Sequence, residues 1–319
     1  MKAIGGYFEL ENALIEKQEV GNFLFSSGRS AFAYLLKLHD IERVWLPYYN
    51  CDVILEPLKV LNIDFDFYNI DKNLLPDLSK IDMKDNSAIV VNNYFGLLDN
   101  ELNLMDLGDR VIFDNSQAFY SKLNGGLGAF NSLRKFFGMA DGASVTVNTG
   151  HQISGNWPTF NAENGLKYLE GRKKDGAQEH YHEYLEFERT LEFKEIMEIS
   201  TLSRNIYSKL DHPSIAEKRI SNFGILQKAL DNKNQLKLNI SDSVPMIYPL
   251  LIEDGSKLKR HLIERQIYVP TYWPNKTILS DESSFETYLM KNLVVLPIDQ
   301  RYGKDEMHAI LAEIERYAG

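Results

Sequence analysis

Short apolar runs that stop dead at polar residues constrain this chain more than anything else in it. Ser87-Ala88-Ile89-Val90-Val91 leads into Asn92-Asn93, and Tyr94-Phe95-Gly96 follows. Val111-Ile112-Phe113 ends in Asp114, and residues 43–46 end at Pro47-Tyr48-Tyr49-Asn50-Cys51. Uniformly apolar runs belong to strands covered on both faces, as in a parallel sheet. Residues 62–68 alternate polar with apolar, which also predicts a strand, and short strands are expected around 125–132 and over 143–147. Helices fall between them. Apolar residues at 31, 32, 35, 36 and 38 have helical spacing behind Ser27-Gly28, and a second helix is expected over 52–61. Strands alternating with helices predict an α/β fold with a mostly parallel sheet and helices on both faces.

The rest of the chain reads differently. Residues 1–20 predict a turn at Gly5-Gly6 and a helical piece. From His151 to about Lys174 the chain is polar, with Gly150, Gly155, Pro158 and Gly165, and reads as a long irregular excursion. Residues 177–210 are charged and helical. Within them, Glu179-His180-Tyr181-His182-Glu183 places its histidines on different helix faces, so a solvated face is expected there and no metal. Asp211-His212-Pro213 predicts a break. Beyond it come helices at 217–231, 255–266 and 304–317, strands at 244–252 and 293–298, and an extended aromatic stretch over 267–274. This segregated pattern predicts a smaller C-terminal α+β domain over 211–319, after a large domain over 1–210.

Composition excludes several classes. At 319 residues with a net charge of −10, the chain lacks the basic face that sequence-independent nucleic-acid binding needs. One cysteine, Cys51, rules out an internal disulfide and fits a reducing cytoplasm. No apolar signal core opens the chain and no uncharged run is long enough to cross a membrane, so a cytoplasmic protein is expected. Sequons at Asn239 and Asn275 then read as chance matches.

Ligands of parallel sheets bind beyond the carboxyl ends of strands, and Gly28, Tyr49, Asn93 and Asp114 all fall at or just after such ends. A buried strand-end carboxylate is costly unless a cation meets it. Downstream of a glycine-rich turn (Gly125, Gly126, Gly128), Lys135 sits beside Leu133, Phe136 and Phe137, a candidate desolvated amine. Acid and amine together are what a pyridoxal phosphate site needs: an amine to bind the aldehyde and a carboxylate to keep the pyridine nitrogen protonated. Each residue alone also has a plain reading, the acid as a cap and the lysine as a snorkelling side chain. The N-terminus of the helix behind Ser27-Gly28 fits an anion site and a plain N-cap equally. The glycine turn has Asn131 where a dinucleotide fingerprint needs a third glycine.

With these pieces placed, the chain resembles the DegT/DnrJ/EryC1/StrS sugar aminotransferases, pyridoxal phosphate enzymes of fold type I. Ser27-Gly28-Arg29-Ser30-Ala31 is similar to the family's Ser-Gly-Thr-x-Ala turn, and Pro47-Tyr48-Tyr49-Asn50-Cys51 to its Pro-x-x-Thr-aromatic segment. Asn93-Tyr94-Phe95-Gly96 resembles His-x-Tyr-Gly, and Phe113-Asp114-Asn115-Ser116-Gln117-Ala118 resembles Glu-Asp-x-Ala-Gln-Ala. Arg134-Lys135, then Asp141-Gly142-Ala143, stand where the family has its lysine and Glu-Gly-Gly, and Leu296-Pro297-Ile298-Asp299 is similar to the closing Leu-Pro segment.

The resemblance implies a seven-stranded sheet and a homodimer. It also implies transfer of an amino group from a donor such as glutamate to a keto sugar linked to a nucleotide. Lys135 would carry the cofactor and move protons, Asp114 would pair with the ring nitrogen, and Gln117 would bond the ring hydroxyl. Backbone at Gly28, amides at Arg29 and Ser30, the Ser132 hydroxyl and the side chains of Arg29 and Arg134 would hold the phosphate. Tyr49 or Cys51 would cover a ring face and Asn93 would lie at the site; Tyr272 and Trp273 read equally as lining of the acceptor pocket and as ordinary packing aromatics. The chain also departs from the family. Arg29 replaces a threonine, Cys51 an aromatic, and Phe130 a serine, while the family's Gly-x-Asn-x-Arg segment has only Leu202-Ser203-Arg204-Asn205 as a counterpart. Two other readings stand beside transamination: a related sugar dehydratase, against which the lysine (rather than histidine) at 135 argues, and a catalytically silent binding protein.

Overall fold

The computed structural model describes residues 3–12, 14–19, 21, 23–123, 125–148, 155–240, 243–274 and 281–318. Its first half holds β1 (Ile4–Gly5), β2 (Leu24–Phe25), α1 (Gly28–Leu38), β3 (Arg43–Pro47), α2 (Leu55–Leu61) and β4 (Asp64–Tyr68). Then come β5 (Ser87–Asn92), α3 (Asp99–Leu104), β6 (Val111–Asp114), β7 (Gly128–Phe130) and β8 (Ala143–Val147). Helices α4 (Glu163–Asp175), α5 (Tyr181–Thr190), α6 (Thr201–Tyr207) and α7 (His212–Leu230) follow. The chain closes with β9 (Ile247–Leu251), α8 (Gly255–Glu264), β10 (Ile267–Tyr268), α9 (Phe285–Asn292), β11 (Leu293–Pro297) and α10 (Lys304–Ala318).

Seven strands form one sheet in the order β2-β8-β7-β6-β5-β3-β4. Strands β4, β3, β5, β6 and β7 pair in parallel, while β8 runs against both of its neighbours. The uniformly apolar β5 is buried at every position because its two faces meet different cores. Ala88 and Val90 pack with α1 and α2 residues such as Phe32, Leu35 and Leu58. Ile89 and Val91 join a second cluster that reaches Leu102, Ile215, Phe223 and Leu296. The period-2 alternation of side chains turns one apolar run into two packed faces. Beyond the sheet, β9 pairs antiparallel with β11, and β1 pairs in parallel with β10, joining the N-terminal segment to the C-terminal region.

Three expectations are corrected. No helix forms among the described residues of 3–19. Their amides serve distant carbonyls instead, Leu10 N donating to Leu169 O and Glu11 N to Gly138 O. The polar stretch ending near 174 contains α4, a helix whose buried positions Gly165, Tyr168, Leu169 and Arg172 share one face. Gly165 looked like a turn signal, yet it lets the helix approach closely: a Cβ there would lie 2.5 Å from Ala140 Cβ. The helix expected from 217 starts earlier: the break at Asp211-His212-Pro213 separates α6 from α7, and α7 begins at His212, with the Asp211 side chain accepting from Ser214 N and proline in the first turn. His151, Gly150 and Asn275 lie outside the described residues. Among those residues no helix is long and apolar enough to cross a membrane.

Candidate active site

The parallel register brings several strand ends together. Asn92 at the end of β5 sits opposite Asp114 at the end of β6, and Asp114 sits opposite Phe130 at the end of β7. The chain leaving β7 makes one 3-10 turn, Leu133–Lys135. That turn is tied down at Leu133, whose N–H donates to Gly142 O, while Gly142 N donates to Ser26 O just ahead of α1. Asp141 anchors the returning strand: fully buried, it accepts from Ser200 N at 2.8 Å and Ser200 Oγ at 2.6 Å.

A cavity of about 490 Å3 opens at this junction. Of the predicted residues, Gly28, Arg29, Cys51, Asn93, Asp114, Gln117, Ser132 and Lys135 line it, together with Arg134 and Trp273. Ser30 and Tyr49 do not. The Ser30 amide donates to Ser27 Oγ at 3.3 Å as part of the N-cap, and its hydroxyl pairs with Ser26 Oγ. Tyr49 is wholly buried, with its hydroxyl on Tyr272 O at 2.8 Å and its ring against Trp273 at 4.9 Å. Cys51 and Trp273 do line the cavity. Tyr272 instead borders a neighbouring chamber.

Asp114 is buried, and its Oδ1 accepts from Ser116 N at 2.8 Å. Burial pushes its carboxyl above the usual range, and the Lys135 charge pulls it back most strongly. Lys135 is only half-buried: Leu133, Phe136 and Phe137 are buried in the core while Lys135 lines the cavity, so its apolar sequence neighbours do not enclose it. Gln117 accepts from Phe95 N through Oε1 at 3.2 Å, which helps hold Phe95 at φ 61°, and its buried Nε2 has no partner. Asn93 touches the cavity, yet its polar atoms serve the fold, reaching Asp99, Ser121 and Leu98 N.

Arg29, in the first turn of α1, gives Nη1 to both Glu56 oxygens at 3.2 and 3.0 Å, and Glu56 in turn accepts from Phe193 N. Arg134 pairs with Glu188 of α5. The amides of Gly28 and Arg29 have no carbonyl within their helix to bond. Sequence reasoning missed Ser27, Asn50, Ser116 and the wall formed by Leu185, Glu188, Arg189 and Glu192. The first three lie inside motifs that did stand out, without having been given a role there. The wall comes from a charged helix with no local signal. The histidines of that region pair separately, His180 with Asp175 at 2.9 Å and His182 with Glu186 at 3.7 Å.

The expected architecture is the one observed: the chain has the fold type I arrangement of pyridoxal phosphate-dependent sugar aminotransferases. It superposes on S. venezuelae DesV, solved with a ketimine intermediate, with a TM-score of 0.69 over 93% of this chain and 84% of that one, at 15% identity. A DegT DnrJ EryC1 StrS aminotransferase from Brucella abortus gives a TM-score of 0.64 at 14% identity, over 93% of this chain and 86% of that one. The E. coli GDP-4-keto-6-deoxy-D-mannose-3-dehydratase with bound hydrated PLP gives 0.58 at 15% identity, over 91% and 86%. No family model and no curated protein matches the sequence. Likeness at such identities establishes the shared fold.

Proposed function

We propose that the cavity holds pyridoxal 5'-phosphate and that the protein is an aminotransferase, moving an amino group from an amino acid such as glutamate to a keto sugar. The observation that carries this reading is that Asp114 and Lys135 line one cavity and act on each other electrostatically. The residues fit the coenzyme: a buried carboxylate whose burial outweighs the pull of Lys135, an amide Nε2 on Gln117 lacking an acceptor, and a helix N-terminus with an arginine beside it. When bound, pyridoxal phosphate supplies an aldehyde that condenses with amines and a pyridinium ring that draws electrons from the neighbouring carbon.

This chain's residues would then act as follows. Lys135 would hold the coenzyme through its amine and, once a substrate amine replaces it, carry a proton between substrate Cα and cofactor C4′. Asp114 would keep the ring nitrogen protonated, a pairing that also relieves its own burial. Gln117 would donate from Nε2 to the ring oxygen. The amides of Gly28 and Arg29, the Ser132 hydroxyl and the Arg29 guanidinium would bind the phosphate. Cys51 and Trp273 would contact the ring.

The division at residue 210, with its smaller C-terminal domain, and the homodimer belong to this proposal, the first supported by the cap at Asp211 and the second by resemblance alone. The dehydratase fold neighbour keeps a second reaction in view, and Lys135, which can shuttle the proton that transfer needs, favours amino transfer. Incubating cofactor-loaded protein with glutamate tests the reading. Release of 2-oxoglutarate, abolished in Lys135→Ala, is expected. Loaded protein that leaves glutamate and a panel of other amino acids unchanged would refute it.

A further inference from the structure

Helix α7 carries the charged run Glu217-Lys218-Arg219, yet Arg219 is fully buried. Helical spacing puts it on one buried face with Ile215, Asn222 and Phe223. Its guanidinium lies 4.7 Å over the Phe136 ring and gives both arms to backbone. Nη1 donates to Met246 O at 2.9 Å and Nη2 to Phe136 O at 3.0 Å, while Nε is buried with no hydrogen-bond partner. Burying a guanidinium on neutral carbonyls with one donor unmet is costly. What the side chain provides is a bridge between two loops far apart in sequence.

Each loop leads to a residue of the cofactor cavity. Phe136 directly follows Lys135, and its carbonyl also accepts from Gln300 Nε2 at 2.8 Å. On the other arm, Met246 N donates to Phe95 O at 2.8 Å, and Phe95 N donates to Gln117 Oε1 at 3.2 Å. Gln117 lines the cavity, and its Nε2 is a buried donor without an acceptor. The Phe95 loop has little room to drift, because a Cβ on Gly96 would lie 3.1 Å from Val244 O and 3.2 Å from Gln117 O. One unbroken path therefore runs from the backbone beside Lys135, through Arg219, to the side chain of Gln117.

We infer that Arg219 is a positioning residue: its buried guanidinium fixes the Lys135 turn and the Gln117 side chain against each other. The inference rests on the pyridoxal phosphate reading and deepens it. Pyridoxal carries its aldehyde and its ring oxygen on adjacent carbons, so the amine that meets one and the amide that meets the other must keep a set separation. Arg219 touches neither group, and acts by holding the backbone from which each is placed. A lysine at 219 keeps the charge but offers a single ammonium, which cannot reproduce the planar two-armed fork.

The test is a double-mutant cycle on cofactor affinity, read from the visible absorbance of protein titrated with pyridoxal phosphate. Arg219→Lys and Gln117→Leu should each weaken binding by about tenfold, the worth of one hydrogen bond to a charged group. The double variant should lose at least about threefold less than the product of the two losses, as members of one network do. Arg29→Gln, outside that network, should combine with Arg219→Lys to give the full product within about twofold. If Arg219→Lys folds poorly, Arg219→Met, which removes the buried charge along with the two bonds, takes its place. Unchanged affinity in the Arg219 variant, a full product with Gln117→Leu, or the same shortfall with Arg29→Gln would overturn the inference. Wild-type protein that binds no pyridoxal phosphate would instead count against the reading of the cavity. The bridge is then judged by hydrogen exchange on cofactor-free protein. Arg219→Lys should speed exchange in peptides covering both 93–97 and 133–139 and leave 43–47 unchanged; faster exchange in neither loop, in one alone, or throughout the sheet overturns it.

Discussion

Asp114 is buried at the end of its strand, and the strongest influence opposing that burial at its carboxyl is the charge of Lys135, which enters the same cavity. The two side chains come from neighbouring parallel strands, one at the tip of β6 and the other just past the end of β7. Parallel register therefore places an acid and an amine around one space without any contact between them in sequence.

The carboxyl pKa of Asp114 is raised in the folded chain, so folding favours the protonated acid. Stability linked to this group is full below the unfolded pKa and is lost as pH rises through the folded one. Asp114→Asn cannot ionise. It should raise the melting temperature of cofactor-free protein at neutral pH by about 2–4 °C and at the same time weaken pyridoxal phosphate binding. The thermal gain should shrink as pH falls through the carboxyl pKa. Melts of the two proteins across pH check this, and a gain that does not vary with pH would count against it.

Gly138 lies against the N-terminal segment. A Cβ there would fall well inside contact with Glu9 O and 2.7 Å from Glu11 N, both backbone atoms that cannot swing aside. Gly138→Ala should destabilise the fold by about 1–3 kcal/mol, measured by urea denaturation. It should also disturb the Lys135 turn, because Glu11 N donates to Gly138 O in the wild type. A stability within 0.5 kcal/mol (about the scale of a neutral surface change) would show that the N-terminal segment does not press on this loop.

Cys51 faces the cofactor cavity, and burial raises its thiol pKa while the Lys135 charge lowers it. Iodoacetamide should modify it slowly at neutral pH and faster as pH rises, because the thiolate is the reacting form. Lys135→Ala should slow the reaction further, and saturating pyridoxal phosphate should protect the thiol. Mass spectrometry of the alkylated peptide reads all three, and a thiol that the cofactor fails to protect would remove Cys51 from the ring face.

Much of the sheet was legible because its signals are local. A run such as 87–93 can satisfy a two-faced strand and little else, and the polar residue that ends each run marks the binding edge. Asp114, Gln117 and Lys135 were legible for the same reason, each standing at a break in an apolar pattern. Helix α4 was hidden because its buried face depends on Ala140 and Phe187 to receive Gly165, a long-range fit that no local pattern announces. Ser30 and Tyr49 were placed at the site by motif order, but capping and core packing claimed them. The α5 wall, with Glu188 on Arg134, is visible only once tertiary structure brings a charged surface helix to the cavity.

The central claim is that Lys135 itself holds the coenzyme. Borohydride reduction of protein saturated with pyridoxal phosphate, followed by peptide mass mapping, tests it most directly. The account predicts a phosphopyridoxyl group fixed on Lys135, with a visible absorbance band that disappears in Lys135→Ala. Labelling spread over surface lysines with residue 135 unmodified, or the same band in the alanine variant, would contradict it.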